Sequence, residues 1–113
     1  MLSVVYLYAC SVHYPVVMKI NSEIYIGEAI ASIGTTGTYI VKTTEGAKCH
    51  GEFENSSSSL SSPATITCSD DRKGKLTIIR NPDRRSGFGQ GKLEDGTKVR
   101  FAYGPTATKL ILE

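Results

Sequence analysis

The histidine and carboxylates between His50 and Glu54 are the side chains best spaced for metal or acid–base chemistry. His50, Glu52 and Glu54 alternate along the chain, so on an extended strand all three would lie on one face. Imidazole and carboxylate groups bind transition metals. One strand supplies only part of a coordination shell, however, and His13 is the other histidine of the chain. We therefore interpret this trio as a solvated polar face and predict no metal site.

Two adjacent carboxylates, Asp70 and Asp71, lie in the segment CSDDRKG. Paired carboxylates perform acid–base chemistry when their environments separate their pKa values. Neighbours in a charged turn point in different directions and stay hydrated, so we interpret this pair as turn-capping residues. The chain contains no GxSxG motif and no phosphate-binding loop. We predict no catalytic set and no cofactor.

The segment SGFGQGKL places an aromatic residue between glycines, as an RNA-binding sheet motif does. Gln90 and Gly91 stand where that motif has an aromatic residue and a valine, so we do not favour RNA recognition. A small barrel needs only basic and aromatic side chains on one face to bind single strands. The candidates for that alternative are Phe88, Arg100, Phe101 and Tyr103. We favour core positions for Phe101 and Tyr103.

The sequence that must position these residues is typical of short strands joined by turns. β-Branched and aromatic residues alternate with polar ones between clusters of Gly, Asn, Asp and Ser. The 113 residues are enough for one domain, and no run of apolar residues is long enough to predict a membrane-spanning helix. We predict an all-β fold, a small antiparallel barrel or sandwich of about seven strands. We predict an N-terminal segment, residues 1–15, that would contain a lipoprotein processing region, followed by a single β-domain, residues 16–113.

Two predicted hairpins align with each other when the sequence is compared with itself at an offset of fifty residues. GTYIVKTTEGAKCHGEF starts at Gly37, and GFGQGKLEDGTKVRFAY starts at Gly87. Both turns read acidic, Gly, small, Lys, with a glycine that can take a positive φ. Phe53 thereby corresponds to Tyr103. The second copy adds alternate glycines, which we interpret as places where a bulky neighbour packs closely.

The three cysteines are an odd number, so at least one needs a role other than an internal disulfide. Cys49 and Cys68 flank a serine-rich loop, and a disulfide between them would contribute roughly 3 kcal/mol by closing about twenty residues. Cys10 would remain. The segment LYAC resembles the bacterial lipobox, which makes Cys10 the predicted lipidation site. The alternative is a buried free thiol on an N-terminal strand.

About half of the chain resembles a loose class of small exported bacterial proteins. Their pattern is C-x-G, then C-S-D-x-R, then G-x-G-x-L-x-D-G. It matches here at Cys49, at Cys68 and at Gly89, and Asp71 stands where the class is expected to have Gly. The resemblance implies an envelope location and a Cys49–Cys68 disulfide, and it implies no activity.

Charge is distributed unevenly along the chain, although the net charge is only +2. Residues 1–68 carry three basic and five acidic side chains, whereas residues 69–113 carry ten basic and six acidic ones. Such asymmetry can steer an anionic partner to one end, but it is below the basic footprint of a dedicated nucleic-acid binder. The predicted partner-binding surface consists of Arg72, Lys73, Arg80, Arg84, Arg85 and Arg100.

Taken together, these features predict a non-catalytic structural or binding protein of the bacterial cell envelope. It would face the periplasm and be anchored to the membrane through lipid at Cys10. An anionic envelope polymer or an envelope protein is the expected partner. The alternative is a cytoplasmic OB-like module that binds single-stranded nucleic acid, which predicts reduced cysteines and a salt-dependent affinity.

Overall fold

The computed structural model describes residues 11–32, 36–54, 60–82, 86–105 and 107. In these residues eight antiparallel strands follow one another around a closed barrel, because β8 pairs with β1. The strands are β1 Ser11–Ile20, β2 Glu23–Ser32, β3 Thr36–Lys42, β4 Lys48–Glu54, β5 Ser61–Cys68, β6 Lys73–Arg80, β7 Gly87–Leu93 and β8 Lys98–Tyr103. The predicted all-β barrel is confirmed, with eight strands rather than about seven. No helix in the described residues is long and apolar enough to cross a membrane.

β1 starts at Ser11, before the predicted domain start at residue 16. Pro15 lies within this strand, opposite Glu28 of β2. The ladder between β1 and β8 ends at Val16, so no β8 residue lies opposite Pro15, and this strand-end position tolerates a residue without an N–H group. The Pro15 carbonyl accepts a hydrogen bond of 3.0 Å from the backbone N–H of Gly104. Residues 1–10, including Cys10, lie outside the described residues.

The two ends of the barrel are built differently. At the turn end, as we call it, residues 21–22, 43–47, 69–72 and 94–97 join consecutive strands through short turns. At the opposite end, the loop end, β2, β4, β6 and β8 finish, at Ser32, Glu54, Arg80 and Tyr103. Every second side chain of a strand points into the barrel. The position of its residue along the strand decides whether that side chain lies in the turn-end half or the loop-end half of the interior.

The turns at residues 43–47 and 93–97 have the same geometry. Gly46 and Gly96 take φ values of 97° and 91°, which glycine adopts without steric cost. In the first turn the N–H of Thr43 donates to the carbonyl of Ala47 at 2.9 Å. Leu93 and Thr97 form the equivalent bond at 2.9 Å in the second turn.

The predicted repeat of the two hairpins extends to their register. Gly37 lies opposite Phe53 in the pairing of β3 with β4. Gly87 lies opposite Tyr103 in the pairing of β7 with β8, fifty residues later in the chain. The repeated sequence pattern therefore corresponds to a repeated structure.

The turn-end half of the interior is filled by large side chains. Those with almost no exposed surface include Ile20, Tyr25, Val41, Ile66 and Val99. The disulfide between Cys49 and Cys68 joins β4 to β5 in this half, with Cα atoms 3.9 Å apart, as predicted. The loop-end half instead carries alanines at several inward positions, which leaves space inside the barrel.

Candidate functional site

A cavity of about 360 Å³ occupies the loop-end half of the barrel. An eight-stranded barrel is just wide enough for side chains to fill or for one small ligand to occupy. Whether side chains fill the interior or leave space for a ligand depends on the size of the inward-facing residues. Ala29 and Ala31 on β2 and Ala64 on β5 line the cavity, so three inward positions hold a methyl group only. This choice of small residues leaves the space open.

The remaining wall of the cavity is aliphatic and aromatic. The aliphatic part consists of Val16, Met18, Leu76 and Ile78. The aromatic part consists of Tyr14, Tyr39, Phe53, Phe101 and Tyr103. The rings of Tyr14 and Tyr103 meet edge to face, with centroids 5.5 Å apart and an interplanar angle of 73°. The expected core positions of Phe101 and Tyr103 are confirmed, since Phe101 is buried and Tyr103 packs against the core.

Glycines on neighbouring strands make room for these rings. The ring of Phe101 lies over Gly89, and the ring of Tyr103 lies over Gly87, so a methyl group on either glycine would overlap the ring. Phe53 covers Gly37 in the same way. The interpretation of the alternate glycines as close-packing positions is therefore confirmed for Gly87 and Gly89.

Tyr39 adds a polar group to the apolar wall. Its hydroxyl donates a hydrogen bond of 2.7 Å to the carbonyl oxygen of Thr65. Burial raises the pKa of Tyr39 well above the ordinary tyrosine value, because the phenolate would lose its hydration. The group therefore stays neutral and satisfied over the physiological pH range.

Arg80 is buried in the barrel interior, and its predicted place on a basic surface is wrong. Only 6% of its surface is exposed, and its side chain lines the cavity. The reason is the alternation of β6, which turns Leu76, Ile78 and Arg80 inward. Its Nη1 donates to the Ser62 hydroxyl at 2.6 Å, and its Nη2 donates to the backbone carbonyl of Glu54.

The charge of Arg80 has neutral partners in the described part of the chain, where no carboxylate lies within ion-pair distance of it. Removing an ion from water costs several kcal/mol, and buried charges are therefore normally paired. Two hydrogen bonds from a charged donor, at about 1.5–3 kcal/mol each, offset part of that cost. Among the described residues, the guanidinium of Arg80 therefore has hydrogen-bond acceptors but no negatively charged partner.

The other described residues of the predicted basic surface are Arg72, Lys73 and Arg100. Arg72 is half-buried in a turn at the turn end, where its Nε lies 2.7 Å from Asp70 Oδ2. Lys73 and Arg100 are exposed, at the start of β6 and in the middle of β8. Arg84 and Arg85 lie outside the described residues.

A different set of basic residues is adjacent on the outside of the barrel. Lys75 on β6 lies opposite Lys92 on β7, which in turn lies opposite Lys98 on β8. All three are exposed, and we call them the lysine row. Like charges directly opposite each other on a sheet are destabilising, so this row is an electrostatic cost to the fold.

The histidine and glutamate side chains that could take part in metal or acid–base chemistry lie on the outside of the barrel, away from the cavity. His50, Glu52 and Glu54 are exposed on the outer face of β4, as expected for a solvated face. His13 Nδ1 lies 3.3 Å from Glu28 Oε1, also on the outer surface. No group of three His, Cys, Asp or Glu side chains in the described residues could hold a metal ion.

Asp70 and Asp71 form part of a turn, as we interpreted from the sequence. Asp70 Oδ1 accepts a hydrogen bond of 3.2 Å from the backbone N–H of Arg72. Asp71 takes a φ of 71°, a left-handed conformation in which Asp is one of the better tolerated residues. This is the position at which the resemblance predicts Gly, and a left-handed conformation is one that Gly adopts readily.

Sequence reasoning missed the cavity and the role of Arg80 in it. The available signal was the alternation of β6, in which Arg80 follows Leu76 and Ile78 on the inner face. The three alanines gave a weaker signal, because small inward residues are also compatible with a tightly packed core.

No protein-family model matches the chain, and no curated protein matches it. Among solved structures, the chain is similar to one described as a redesigned β-barrel, with a TM-score of 0.60 and 14% sequence identity. The match covers 82% of this chain and 88% of that one. At this level of identity the similarity supports the barrel fold alone.

Proposed function

We propose that the protein is a non-catalytic binding protein whose barrel holds one small, largely apolar ligand, and that it functions in the bacterial cell envelope. The cavity of about 360 Å³ is the observation that supports the binding role. Small-molecule sites occupy roughly 300–1,000 Å³. An apolar cavity of about 150 Å³ is already enough to bind benzene.

The cost of the cavity favours binding over a purely structural role. Space inside a core forgoes van der Waals contacts and lowers stability. The turn-end half of the same barrel is densely filled, so the fold does not require an empty interior. Leucine at one of the three alanine positions would fill part of the space without burying a polar group.

Ala64→Leu tests the binding role, with Thr77→Leu as the matched control on the outer face of the neighbouring strand. N-phenylnaphthylamine, a neutral apolar dye, is expected to fluoresce on binding to the wild-type protein and to Thr77→Leu. We expect Ala64→Leu to abolish this signal while its melting temperature stays equal or rises. Dye binding by Ala64→Leu at the wild-type level, or no binding by the wild type, would contradict the proposal.

The envelope location is supported by the disulfide between Cys49 and Cys68, because disulfides form and persist in oxidising compartments. The lipobox-like segment extends the proposal to a lipid anchor at Cys10. Intact mass of the protein from its own host, before and after reduction, followed by peptide mapping, tests both. We expect Cys49 and Cys68 to be oxidised and Cys10 to carry lipid. Three free thiols would instead favour the cytoplasmic alternative.

A second candidate partner, an anionic envelope polymer, is favoured by the lysine row. Three exposed ammonium groups on adjacent strands attract a polyanion, and that attraction weakens as salt rises. Poly-glutamate is a suitable probe, with binding expected for the wild type and loss expected for Lys92→Glu. A single-stranded oligonucleotide serves as the comparison. Tighter binding of the oligonucleotide would favour the nucleic-acid alternative.

A further inference from the structure

Arg80 gives one end of the cavity a chemical character that the rest lacks. Of the described residues that line the cavity, Arg80 alone carries a charge. It is the last residue of β6, so its guanidinium enters at the loop end, beyond the apolar wall formed by Leu76 and Ile78. A ligand in this cavity would therefore meet apolar groups along most of its length and a cation at one end.

The described hydrogen bonds of Arg80 use two of its N–H donors. An arginine has five N–H donors in a planar fork. In the described structure one goes to Ser62 Oγ and one to the carbonyl of Glu54. Both acceptors are neutral, so they orient the fork without cancelling its charge.

Several hydrogen bonds around Arg80 fix the orientation of its guanidinium group. Ser62 is 4% exposed, and its hydroxyl also lies 3.5 Å from the same Glu54 carbonyl. The backbone N–H of Arg80 donates to the carbonyl of Leu60 at 2.7 Å. A guanidinium held in this way loses little freedom when an anion binds, which favours affinity.

A second polar side chain borders the same end of the cavity. Gly87 lies opposite Arg80 in the pairing of β6 with β7 and opposite Tyr103 in the pairing of β7 with β8. The Tyr103 ring, including its hydroxyl, lies over Gly87. The Arg80 guanidinium and the Tyr103 phenol therefore both lie at the loop end, on two strands that are separated by β7. Met18 and Phe101 lie deeper in the barrel. A few convergent polar groups at one end of an apolar cavity are typical of sites that orient a ligand.

From this geometry we infer that the ligand is a small amphipathic carboxylic acid, bound with its carboxylate on Arg80 and its hydrocarbon part in the apolar cavity. The inference rests on the proposed function, because it requires that the cavity bind a ligand. A carboxylate matches the guanidinium through two parallel hydrogen bonds. It also supplies the negative charge that the described surroundings of Arg80 lack.

The wild-type protein allows the decisive comparison. Octanoate, octanol and methyl octanoate share a chain of the same length and differ in the charge of the polar end. In calorimetric titrations at neutral pH, we expect octanoate to bind about ten-fold or more tightly than the two neutral compounds, because hydrogen bonds to charged groups are the stronger ones. Equal affinities would overturn the inference and leave the proposed function standing. Binding of none of the three would overturn both.

Arg80→Met separates the role of the charge from that of the cavity. We expect this variant to bind octanoate no more tightly than it binds octanol. Arg80→Lys retains the charge without the planar fork and should give an intermediate octanoate affinity. An unchanged octanoate affinity in Arg80→Met would overturn the inference. If that variant does not fold, the wild-type comparison still decides.

Discussion

The ring of Phe101 on β8 lies over Gly89 on β7, where a methyl group would overlap both the ring and the Thr77 carbonyl of β6. Tyr103 covers Gly87 and Phe53 covers Gly37, at equivalent positions of the two copies of the hairpin. Aromatic residues that cover glycines on a neighbouring strand allow a sheet to curve strongly. Closure of a barrel from 113 residues thus depends on glycines that have no role in turns.

Replacement of Gly89 by alanine tests this dependence. We expect Gly89→Ala to lower the free energy of unfolding by about 1–3 kcal/mol, the range for overpacking of a filled interior. Urea denaturation measures the change. The neighbouring Gln90 is exposed, so Gln90→Ala should stay within about 0.5 kcal/mol of the wild type. Equal stabilities of the two variants would show that the ring can move aside.

Removal of the disulfide should be costly. The bond closes a sequence separation of 19 residues. We expect the double variant Cys49→Ala, Cys68→Ala to be less stable by about 2–4 kcal/mol in chemical denaturation, since its unfolded chain is less constrained. The wild type in reducing buffer is the control and should approach the same value. A wild type equally stable with and without reductant would contradict the prediction.

The hydroxyl of Tyr39 should contribute to stability in a pH-dependent way. Loss of its hydrogen bond to Thr65 in Tyr39→Phe is expected to cost about 0.5–1.5 kcal/mol. Because burial raises the pKa of Tyr39, the folded state keeps a proton that the unfolded state releases above about pH 10. Its contribution is therefore complete below that pH and is lost as the pH rises further. Denaturation at several alkaline pH values should show a fall in wild-type stability that is smaller in Tyr39→Phe.

Asp95 should titrate at lower pH than an ordinary aspartate. The hydroxyl of Thr97 and its backbone N–H, 2.9 Å from Oδ1, donate to the carboxylate and hold its pKa below the usual value. The resulting stabilisation is present above the unfolded pKa of about 3.9 and is lost as the pH falls through the lower folded value. Thr97→Val retains the backbone donor and should raise the pKa of Asp95 part of the way. An NMR titration with an unchanged midpoint would be incompatible with a role for the hydroxyl.

Local sequence patterns predicted the hairpins because the determinants of a hairpin are local. The Glu45-Gly46 and Asp95-Gly96 pairs specify turns whose glycines take a positive φ, and alternation assigns a face to each strand residue. Phe101 could be placed in the core on that basis. The Cys49–Cys68 pairing was accessible for a related reason, since the two residues flank one connection between consecutive strands.

Closure and cavity volume depend on the whole barrel and could not be read from one segment. The pairing of β1 with β8 joins residues that are far apart in the chain. The predicted domain start at residue 16 omitted residues 11–15, which form the first half of β1 and pair with β2. Arg80 was assigned to the surface on the basis of its charge, although the alternation with Leu76 and Ile78 placed it inside. Small inward residues such as Ala64 do not reveal whether a larger neighbour fills the space.

The junction between β4 and β5 has the fewest paired residues of any in the described barrel. Cys49 pairs with Cys68, His50 with Thr67 and Phe53 with Ala64, whereas β5 and β6 pair at seven positions. The disulfide closes this seam at the turn end. At the loop end, the hydrogen bonds of Arg80 to Glu54 and Ser62 join the same two strands. A covalent bond at the turn end and the hydrogen bonds of the proposed ligand-binding residue at the loop end thus connect the same pair of strands. Reduction would remove the covalent link, and the hydrogen bonds of Arg80 would then be a side-chain link between β4 and β5 whose strength a bound carboxylate could change.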